Sequence, residues 1–505
     1  MSHGSVMRTK SVEQSIRDTE DPEHQLKKEL GALDLMVFGV GVIIGAGIFI
    51  LTGQAAARYA GPSVALSFVL AAVACGLAGL CYAEFASTVP VAGSAYTFSY
   101  ATFGELIAWT IGWDLILEFT VGSAALASGF SSYLANLLHG TPFELPTQLS
   151  SAATGVVDLP AIVLVLLVAC VLILGIKLSS LINQVVVAIK LVVIAIVIVA
   201  GIGYVHLSNY SPFFPPPASP GGTTGASFWN TALIQSLLGI HPSVYGYAGV
   251  ISAASVVFFA FIGFDVVATT AEECRNPQRD VPIGILGSLA ICTVLYVAVC
   301  LIITGMQSYR NIDPEDGAPL ATAFKVVGAP WVGHVVSVGA CIGLTVVCMI
   351  LMLGQSRVGF AMARDGLLPR GLARVHPKYG TPSRITLITA VAVAIIAGFV
   401  DLTTLANLVN IGTLFAFILV SIGVWLLRRS RPDLPRAFKV RAVPVVAILA
   451  SGCCFYLMLN LIGETWLRFV IWMALGLIVY FAYSRSHSRL EIERDADPGL
   501  SSTAK

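Results

Sequence analysis

The chain has 505 residues, of which 56% are hydrophobic and only 11% are charged, and its net charge is +1. The mean hydropathy of +0.85 excludes an ordinary soluble protein, because so few charged side chains cannot solvate the surface of a chain this long. The eight histidines and ten cysteines lack the spacing of metal ligands and form no Cys-x-x-Cys motif, so we expect no metal, cofactor or disulfide. The net charge gives no indication of a nucleic-acid partner.

Apolar segments long enough to cross a bilayer recur from one end of the chain to the other. We predict twelve membrane-spanning helices, at residues 33–57, 62–88, 97–129, 159–178, 183–204, 248–273, 282–305, 331–356, 384–400, 403–427, 442–461 and 467–484. With the N-terminus inside, 24 of the 29 lysines and arginines lie in cytoplasmic tails and loops, and four lie outside. This bias follows the positive-inside rule and predicts a multi-pass protein of the cytoplasmic membrane with both termini in the cytoplasm.

The first span contains the stretch IIGAGIFILTG, in which Gly45 and Gly47 interrupt an otherwise apolar helix. Glycine lets the backbone turn and lets a ligand approach the main chain closely. A break near Gly45 would start a new helix at Ala46, Gly47 and Ile48, whose free backbone N–H groups attract a carboxylate. Residues Ile44 to Ile48 are therefore candidate substrate-binding residues, although close helix packing also favours glycine in membranes.

Charged residues inside the third and fifth spans are the next candidates. Asp114 and Glu118 lie four residues apart on one face of the third span, and Glu118 is the deeper of the two. Asp114 is interpreted as structural. Lys190 lies about 10 Å into the fifth span, where a charge costs about 2.5–3.5 kcal/mol on insertion scales. Its amine either snorkels to the cytoplasmic surface or, since burial disfavours the charged form, gains and loses a proton during transport.

The sixth span, SVVFFAFIGFDVVATTAEE, contains Gly263 near its middle. A break between Ala260 and Gly263 would leave the carbonyls of Val257, Phe258, Phe259 and Ala260 free to accept hydrogen bonds from an ammonium group. These residues are the second half of the predicted substrate site.

Other side chains near this break have two interpretations each. Phe258, Phe259 and Phe261 either form an outer lid over the substrate or serve helix packing. Asp265 follows the break, and either caps the second half-helix or pairs with a mobile group at a gate. Three carboxylates near cytoplasmic helix ends are interpreted as gate or anchor residues, namely Glu84, Glu272 and Glu273.

Spans 1 and 6 open two groups of five, and because five is odd, the two groups would be inverted copies of each other. Glycine-interrupted segments at matching places in inverted halves indicate the central site of a secondary transporter. Free N–H groups facing free carbonyls make a receptor for a zwitterion such as an α-amino acid. The predicted organisation is a cytoplasmic tail at 1–30, a first repeat at 31–204, an extracellular loop at 205–247, a second repeat at 248–427, two further helices at 428–484 and a cytoplasmic tail at 485–505.

Four motifs extend this prediction to a family: IIGAGIF in span 1, FFAFIGFDVVATTAEECRNPQRDVPIGI across spans 6 and 7, QSRVGFAMARDGLLP after span 8, and RPDLPRAFKVRAVPVV before span 11. Together they resemble bacterial members of the amino acid–polyamine–organocation superfamily, and more narrowly the cationic amino acid transporter family, over about residues 30–485. The resemblance implies an all-α polytopic membrane protein with a LeuT-type five-plus-five inverted repeat, broken helices 1 and 6, and two additional C-terminal helices. It also implies secondary transport of amino acids.

The resemblance also bears on single residues. The lysine that matches Lys190 occupies the position where sodium-coupled relatives bind sodium, which implies that Lys190 couples transport to protons. The glutamate that matches Glu118 lies near the substrate, so Glu118 is interpreted as a pocket residue that contacts the ammonium through water or selects a basic side chain. A buried carboxylate bonded to a neighbouring helix is the alternative. Animal members have extra C-terminal spans that this chain lacks, which leaves cationic and small neutral substrates both open.

We therefore expect a secondary transporter that imports cationic or small neutral L-amino acids by proton symport, without sodium. Its expected partners are the amino acid, protons and the lipid bilayer, and the sequence leaves its oligomeric state open. An amino acid exchanger is the alternative. An intramembrane enzyme built on Asp114 and Glu118 would lack any accompanying catalytic group, and a channel would lack repeated filter segments. A non-transporting sensor would need a signalling domain, and both tails are short.

Overall fold

The computed structural model describes residues 30–88, 94–152, 155–175, 180–218, 228–239, 244–269, 274–434, 436 and 438–489. Within these residues the chain is almost entirely helical. It forms isolated β-bridges but no β-strand there.

Six longer helices make up the part of the chain before residue 205. They are α1 (Ala32–Ile43), α2 (Val64–Thr88), α3 (Ser94–Thr102), α4 (Glu105–Leu138), α5 (Leu159–Ile173) and α6 (Ser180–Ile202). Between α1 and α2 the chain continues in short helical pieces, Gly47–Leu51, Thr52–Ala55, Ala56–Ala60 and Gly61–Ser63. We call residues 47–60 the second half of helix 1.

The remainder of the chain repeats this pattern of long helices with one interruption. Its helices are α7 (Leu233–Leu238), α8 (Gly246–Val257), α9 (Phe264–Thr269), α10 (Pro277–Met306), α11 (Pro319–Val326), α12 (Pro330–Arg364), α13 (Ser383–Phe399), α14 (Leu402–Ser430), α15 (Val443–Leu459) and α16 (Gly463–Val479). A 3₁₀ turn at Phe258–Phe261 separates α8 from α9, and short helical pieces at Tyr480–Ser484 and Arg485–His487 follow α16.

Each of the twelve predicted segments contains a described helix or pair of helices. Among the described residues, eight helices are long and apolar enough to cross a membrane, and α1, α5, α13 and α15 are shorter apolar helices. The chain is therefore a polytopic, nearly all-helical membrane protein, as predicted.

The third predicted span differs from the structure in its bounds. Instead of one helix at 97–129, the short α3 ends before Gly104, whose φ of 93° turns the chain, and α4 then runs on to Leu138. The serines of the extra turns bond to main-chain carbonyls, which makes them acceptable inside a membrane helix: Ser131 Oγ donates to Ser150 O and Ser132 Oγ to Ser128 O.

Helices α4 and α12 pack against each other at small residues. Gly112 of α4 faces the Met362 side chain, and Gly122 faces Leu351, at distances where an added methyl group would be crowded. Without a hydrophobic driving force in lipid, such close backbone approach is the main source of helix association.

Large apolar side chains cover the outer surface of the bundle. Examples with more than half of their surface exposed are Leu167, Val192, Val199, Ile395 and Ile478. A soluble protein would hide these side chains, whereas a lipid-facing surface is made of them.

An ionic cluster ties α2 to α14 at one end of the bundle. The buried Glu84 carboxylate accepts from Arg428 Nε and Nη2 at 2.7 and 2.8 Å, and from the backbone N–H of Val440 at 2.8 Å. Arg436 Nε lies 3.9 Å from the same carboxylate. The predicted anchor role of Glu84 therefore has a geometric basis in these contacts.

Candidate functional site

The first helix breaks at the predicted place. Helix α1 ends at Ile43, Ile44 is extended with ψ of 92°, and helical structure resumes at Gly47. Ile44, Ala46 and Ile48 are buried together with the two glycines. The predicted substrate-binding residues thus form a helix N-terminus in the protein interior, where free N–H groups favour an anion.

The second break lies between α8 and α9. After the 3₁₀ turn at Phe258–Phe261, Ile262 is extended with ψ of 139° and Gly263 has φ of +111°. Only glycine adopts this φ without strain. An added Cβ at Gly263 would also lie 2.6 Å from Cγ1 of Val42, so the turn packs directly against α1.

The two breaks touch each other at Gly47 and Ala260. A methyl group added to Gly47 would overlap both Cα and Cβ of Ala260. Glycine at this position therefore brings the second half of helix 1 into backbone contact with the turn between α8 and α9. The residues predicted from two distant segments of the sequence are neighbours in space.

Tyr296 of α10 joins the two breaks through its hydroxyl. Its oxygen lies 2.8 Å from the carbonyl of Ile43 and 2.8 Å from that of Ala260, so its single proton is shared between them. The ring packs edge-on against Phe68 and Phe261. The predicted carbonyl acceptor on Ala260 is thus occupied by Tyr296, and that of Phe259 accepts from Ile262 N, so neither is free in this arrangement.

Asn410 of α14 caps the end of α8. Its Nδ2 donates to the carbonyls of Ser255 and Val256, both at 3.0 Å. These contacts give two carbonyls at the end of α8 a side-chain donor in a buried setting.

Lys190 is fully buried and bonds to the break in helix 1. Its Nζ donates to Gly41 O at 2.7 Å and to Ile44 O at 2.9 Å. Its stem passes Gly343 of α12, where an added Cβ would lie 2.8 Å from Cε of Lys190. The amine is therefore directed into the protein, which excludes the alternative of snorkelling to the cytoplasmic surface in this arrangement.

Three carboxyl groups share one buried region close to the second break. Glu118 interacts electrostatically with Asp265 and with Asp114, and all three residues are at most 1% exposed. Both oxygens of Asp114, Oε1 of Glu118 and Oδ1 of Asp265 have no hydrogen-bond partner among the described residues. Buried unpaired carboxylate oxygens are costly, so this group is suited to holding a proton or a cationic group.

The aromatic residues at the break are buried and packed against other rings. Phe258 contacts Phe417, and Phe261 contacts Phe68. Phe259 is 8% exposed. These contacts favour the packing interpretation for Phe258 and Phe261 in this arrangement.

Two of the predicted carboxylates, Glu272 and Glu273, lie outside the described residues. Tyr296 and Asn410 were missed by sequence reasoning, because a single polar side chain in an apolar span does not reveal its partner. The signal available was only that each is a hydrogen-bonding residue inside a predicted span. Among the described residues, no group of three or more His, Cys, Asp or Glu side chains could hold a metal ion.

Comparisons with known proteins show which protein family the chain belongs to. A family model described as amino acid permease matches residues 30–482. The chain belongs to the amino acid permease family. The permease is 45% identical over 493 residues to the branched-chain amino acid permease BcaP of Bacillus subtilis (strain 168), an alignment that covers 96% of this chain and 99% of that protein. It is 44% identical over 490 residues to the methylthioribose transporter of the same organism, with the same coverage.

A plant relative supports the predicted resemblance to cationic amino acid transporters. The permease is 40% identical over 433 residues to the vacuolar cationic amino acid transporter 2 of Arabidopsis thaliana, covering 85% of this chain and 64% of that protein. The family and these relatives confirm that the permease is a membrane transporter and not an enzyme.

Proposed function

We propose that the permease is a secondary active transporter that imports amino acids across the cytoplasmic membrane by proton symport. The observation that carries this proposal is the contact between two buried helix breaks, with Lys190 bonded to the carbonyl of Ile44 at one of them. A site at which both an anion and a cation find main-chain partners suits the carboxylate and ammonium of an amino acid.

The substrate carboxylate binds the N–H groups of Ala46, Gly47 and Ile48 in this proposal. The ammonium binds carbonyls of the turn at Phe258–Phe261 once the two breaks move apart, because Gly47 and Ala260 leave no room between them in the closed arrangement. Tyr296 bridges the two breaks in this arrangement. When the substrate binds, its ammonium replaces the Tyr296 hydroxyl as the hydrogen-bond donor to the Ala260 carbonyl.

The side chain of the substrate lies beside Gly45. Leu126 of α4 and Val347 of α12 are the nearest groups there, at 3.3 and 3.8 Å from the position of an added Cβ. These apolar neighbours favour a small aliphatic side chain. The relative that is named a branched-chain amino acid permease agrees with this substrate class. Glu118 keeps cationic amino acids as the second candidate class.

In this proposal Lys190 couples transport to protons, and so takes the role that a bound sodium ion has in sodium-coupled relatives. The protonated amine holds α1 to α6 through the carbonyls of Gly41 and Ile44, and loss of the proton weakens these bonds. The carboxyl groups of Glu118, Asp114 and Asp265 provide further proton-binding oxygens near the second break.

The proposed topology follows from the two matching breaks. Residues 31–204 and 248–427 form two inverted five-helix repeats of the LeuT type, and 428–484 add two helices. Residues 205–247 face outside, and both termini lie in the cytoplasm, in keeping with the distribution of lysine and arginine.

Transport in sodium-free proteoliposomes tests this function. Labelled L-alanine uptake is followed with an acid-outside pH gradient, with excess unlabelled L-leucine or L-arginine in parallel. Accumulation above equilibrium that leucine blocks and arginine does not would support proton symport of neutral amino acids. Block by arginine would move the substrate class to cationic amino acids.

Exchange is the alternative mechanism. It would give uptake only into vesicles preloaded with an amino acid, regardless of the pH gradient. This outcome would contradict the proton-coupling role of Lys190 but would agree with the proposed substrate site.

A further inference from the structure

A groove beside α1 and the start of α10 has the chemistry of a lipid headgroup site. It has a volume of about 1030 Å³ and is lined by residues of α1, of the chain at 275–287 and by Phe438. Among the residues that the structure describes, its lining includes two arginines and no carboxylate. We propose that this groove binds an anionic phospholipid, with the phosphate on Arg275 and Arg279 and an acyl chain along α10.

The side chains of the two arginines are accessible at the groove. Arg275 and Arg279 are exposed, lie four residues apart, and form no ion pair or side-chain hydrogen bond within the part of the chain that the structure describes. The main chain of Arg275 is nevertheless held in place, because its N–H donates to Leu30 O at 2.9 Å. Basic pockets between membrane helices are typical binding sites for anionic headgroups.

The wall of the groove changes from basic to apolar along α10. Ile283 lies one turn after Arg279, and Leu286 follows about 10 Å from Arg279 along the helix axis. Met36 of α1 forms the opposite side and lies against Gly287. A headgroup at the arginines would therefore place its acyl chain against these apolar residues.

The outer face of α10 continues this apolar surface. Ile283, Ile291 and Val294 are 39%, 39% and 69% exposed, as expected for side chains in contact with lipid. The arginines thus lie where an exposed apolar helix face ends, which is the level of the phosphate groups of a bilayer leaflet. Charge complementarity selects an anionic lipid over a zwitterionic one.

Thermal unfolding of the purified full-length protein in detergent tests the site without reference to transport. Dioleoyl phosphatidylglycerol and dioleoyl phosphatidylcholine are added at equal concentration, and native mass spectrometry counts the bound lipids. We expect phosphatidylglycerol to raise the Tm more than phosphatidylcholine does. The Arg275→Gln/Arg279→Gln double variant should lose this difference and one bound phosphatidylglycerol.

The matched control is Arg370→Gln/Arg374→Gln, which also removes two exposed arginines four residues apart. It should keep the difference between the two lipids. Equal shifts with both lipids, an unchanged preference in the Arg275/Arg279 double variant, or an equal effect of inorganic phosphate alone would each overturn the proposal. Charge reversal with Arg275→Glu/Arg279→Glu gives a second test, and should make phosphatidylglycerol the weaker stabiliser.

Discussion

The Lys190 Nζ donates a hydrogen bond to the main-chain carbonyl of Ile44, 2.9 Å away, where the first helix is interrupted. Ile44 has lost its helical partner at this break, so its carbonyl requires a donor from elsewhere in the protein. The amine on α6 supplies that donor and thereby connects the protonation of one side chain to the position of α1. Among the contacts at the site, this one is the basis of the proposed coupling between protons and substrate.

Removal of the Tyr296 hydroxyl should weaken the closed arrangement of the two breaks. Tyr296→Phe leaves the carbonyls of Ile43 and Ala260 short of a donor while keeping the ring packing, so we expect about 1–3 kcal/mol less stability and a lower Tm. Tyr247→Phe is the control, because Tyr247 is 79% exposed. A Tm of Tyr296→Phe equal to that of the control would show that the bridge contributes nothing.

A methyl group at Gly47 should separate the breaks and impair transport. Gly47→Ala would overlap Ala260, and overpacking of about 1–3 kcal/mol corresponds to uptake slower by roughly five-fold to over a hundred-fold. Gly76→Ala is the matched control in α2, because an added Cβ there meets nothing within 4 Å. Initial uptake rates of both variants are measured in proteoliposomes. Equal rates would contradict a functional role for the contact between Gly47 and Ala260.

The ionic cluster at Glu84 should be worth more than an exposed ion pair. Glu84→Gln leaves Arg428 without its charged partner in a largely buried site, and we expect a loss of about 3 kcal/mol. Glu464→Gln removes a half-exposed pair with Arg468 and should cost less than about 1 kcal/mol. Denaturation of both variants under the same conditions compares the two costs, and similar values would argue against a special role for the cluster.

Asp158 should make stability depend on pH. This carboxylate caps α5, and its burial raises its pKa to about 7, although the hydrogen bond from the Ala161 N–H opposes that rise. Because the pKa in the folded state exceeds the ordinary value of about 4, the folded protein loses stability as the pH rises from about 4 to about 7.

Asp158→Asn keeps an acceptor for the cap and removes the titrating group. Its Tm should exceed that of the parent protein above pH 7 and match it near pH 4. Asp401→Asn, at the corresponding cap of α14, controls for the loss of a cap charge. A parallel pH dependence of Asp158→Asn and the parent protein would contradict this origin.

The sequence predicts those features of the site that depend on local chemistry. Gly45, Gly47 and Gly263 indicate both helix breaks, because a long apolar segment has few other reasons to place glycine at its centre in two matching positions. The insertion cost of a charge likewise drew attention to Lys190, which is completely buried, and its coupling role stays a prediction.

Features that depend on which helices become neighbours could not be predicted in the same way. Tyr296 and Asn410 donate hydrogen bonds to carbonyls of other helices, and the residues next to them in the sequence do not indicate which carbonyls these are. The division of the third segment at Gly104 was missed because no proline and no run of charged residues separates α3 from α4, so hydropathy merges them. The neighbours of Gly45, Leu126 and Val347, are ordinary apolar residues until the fold brings them together.

The most direct test of the central claim compares the parent protein with Lys190→Ala in sodium-free proteoliposomes. Labelled L-alanine accumulation is driven by an acid-outside pH gradient, and exchange into preloaded vesicles without a gradient measures substrate binding separately. Lys439→Ala, which removes an exposed lysine, is the control. If Lys190 couples protons to transport, Lys190→Ala loses gradient-driven accumulation and retains exchange. Accumulation by Lys190→Ala at the level of the control would contradict the coupling role.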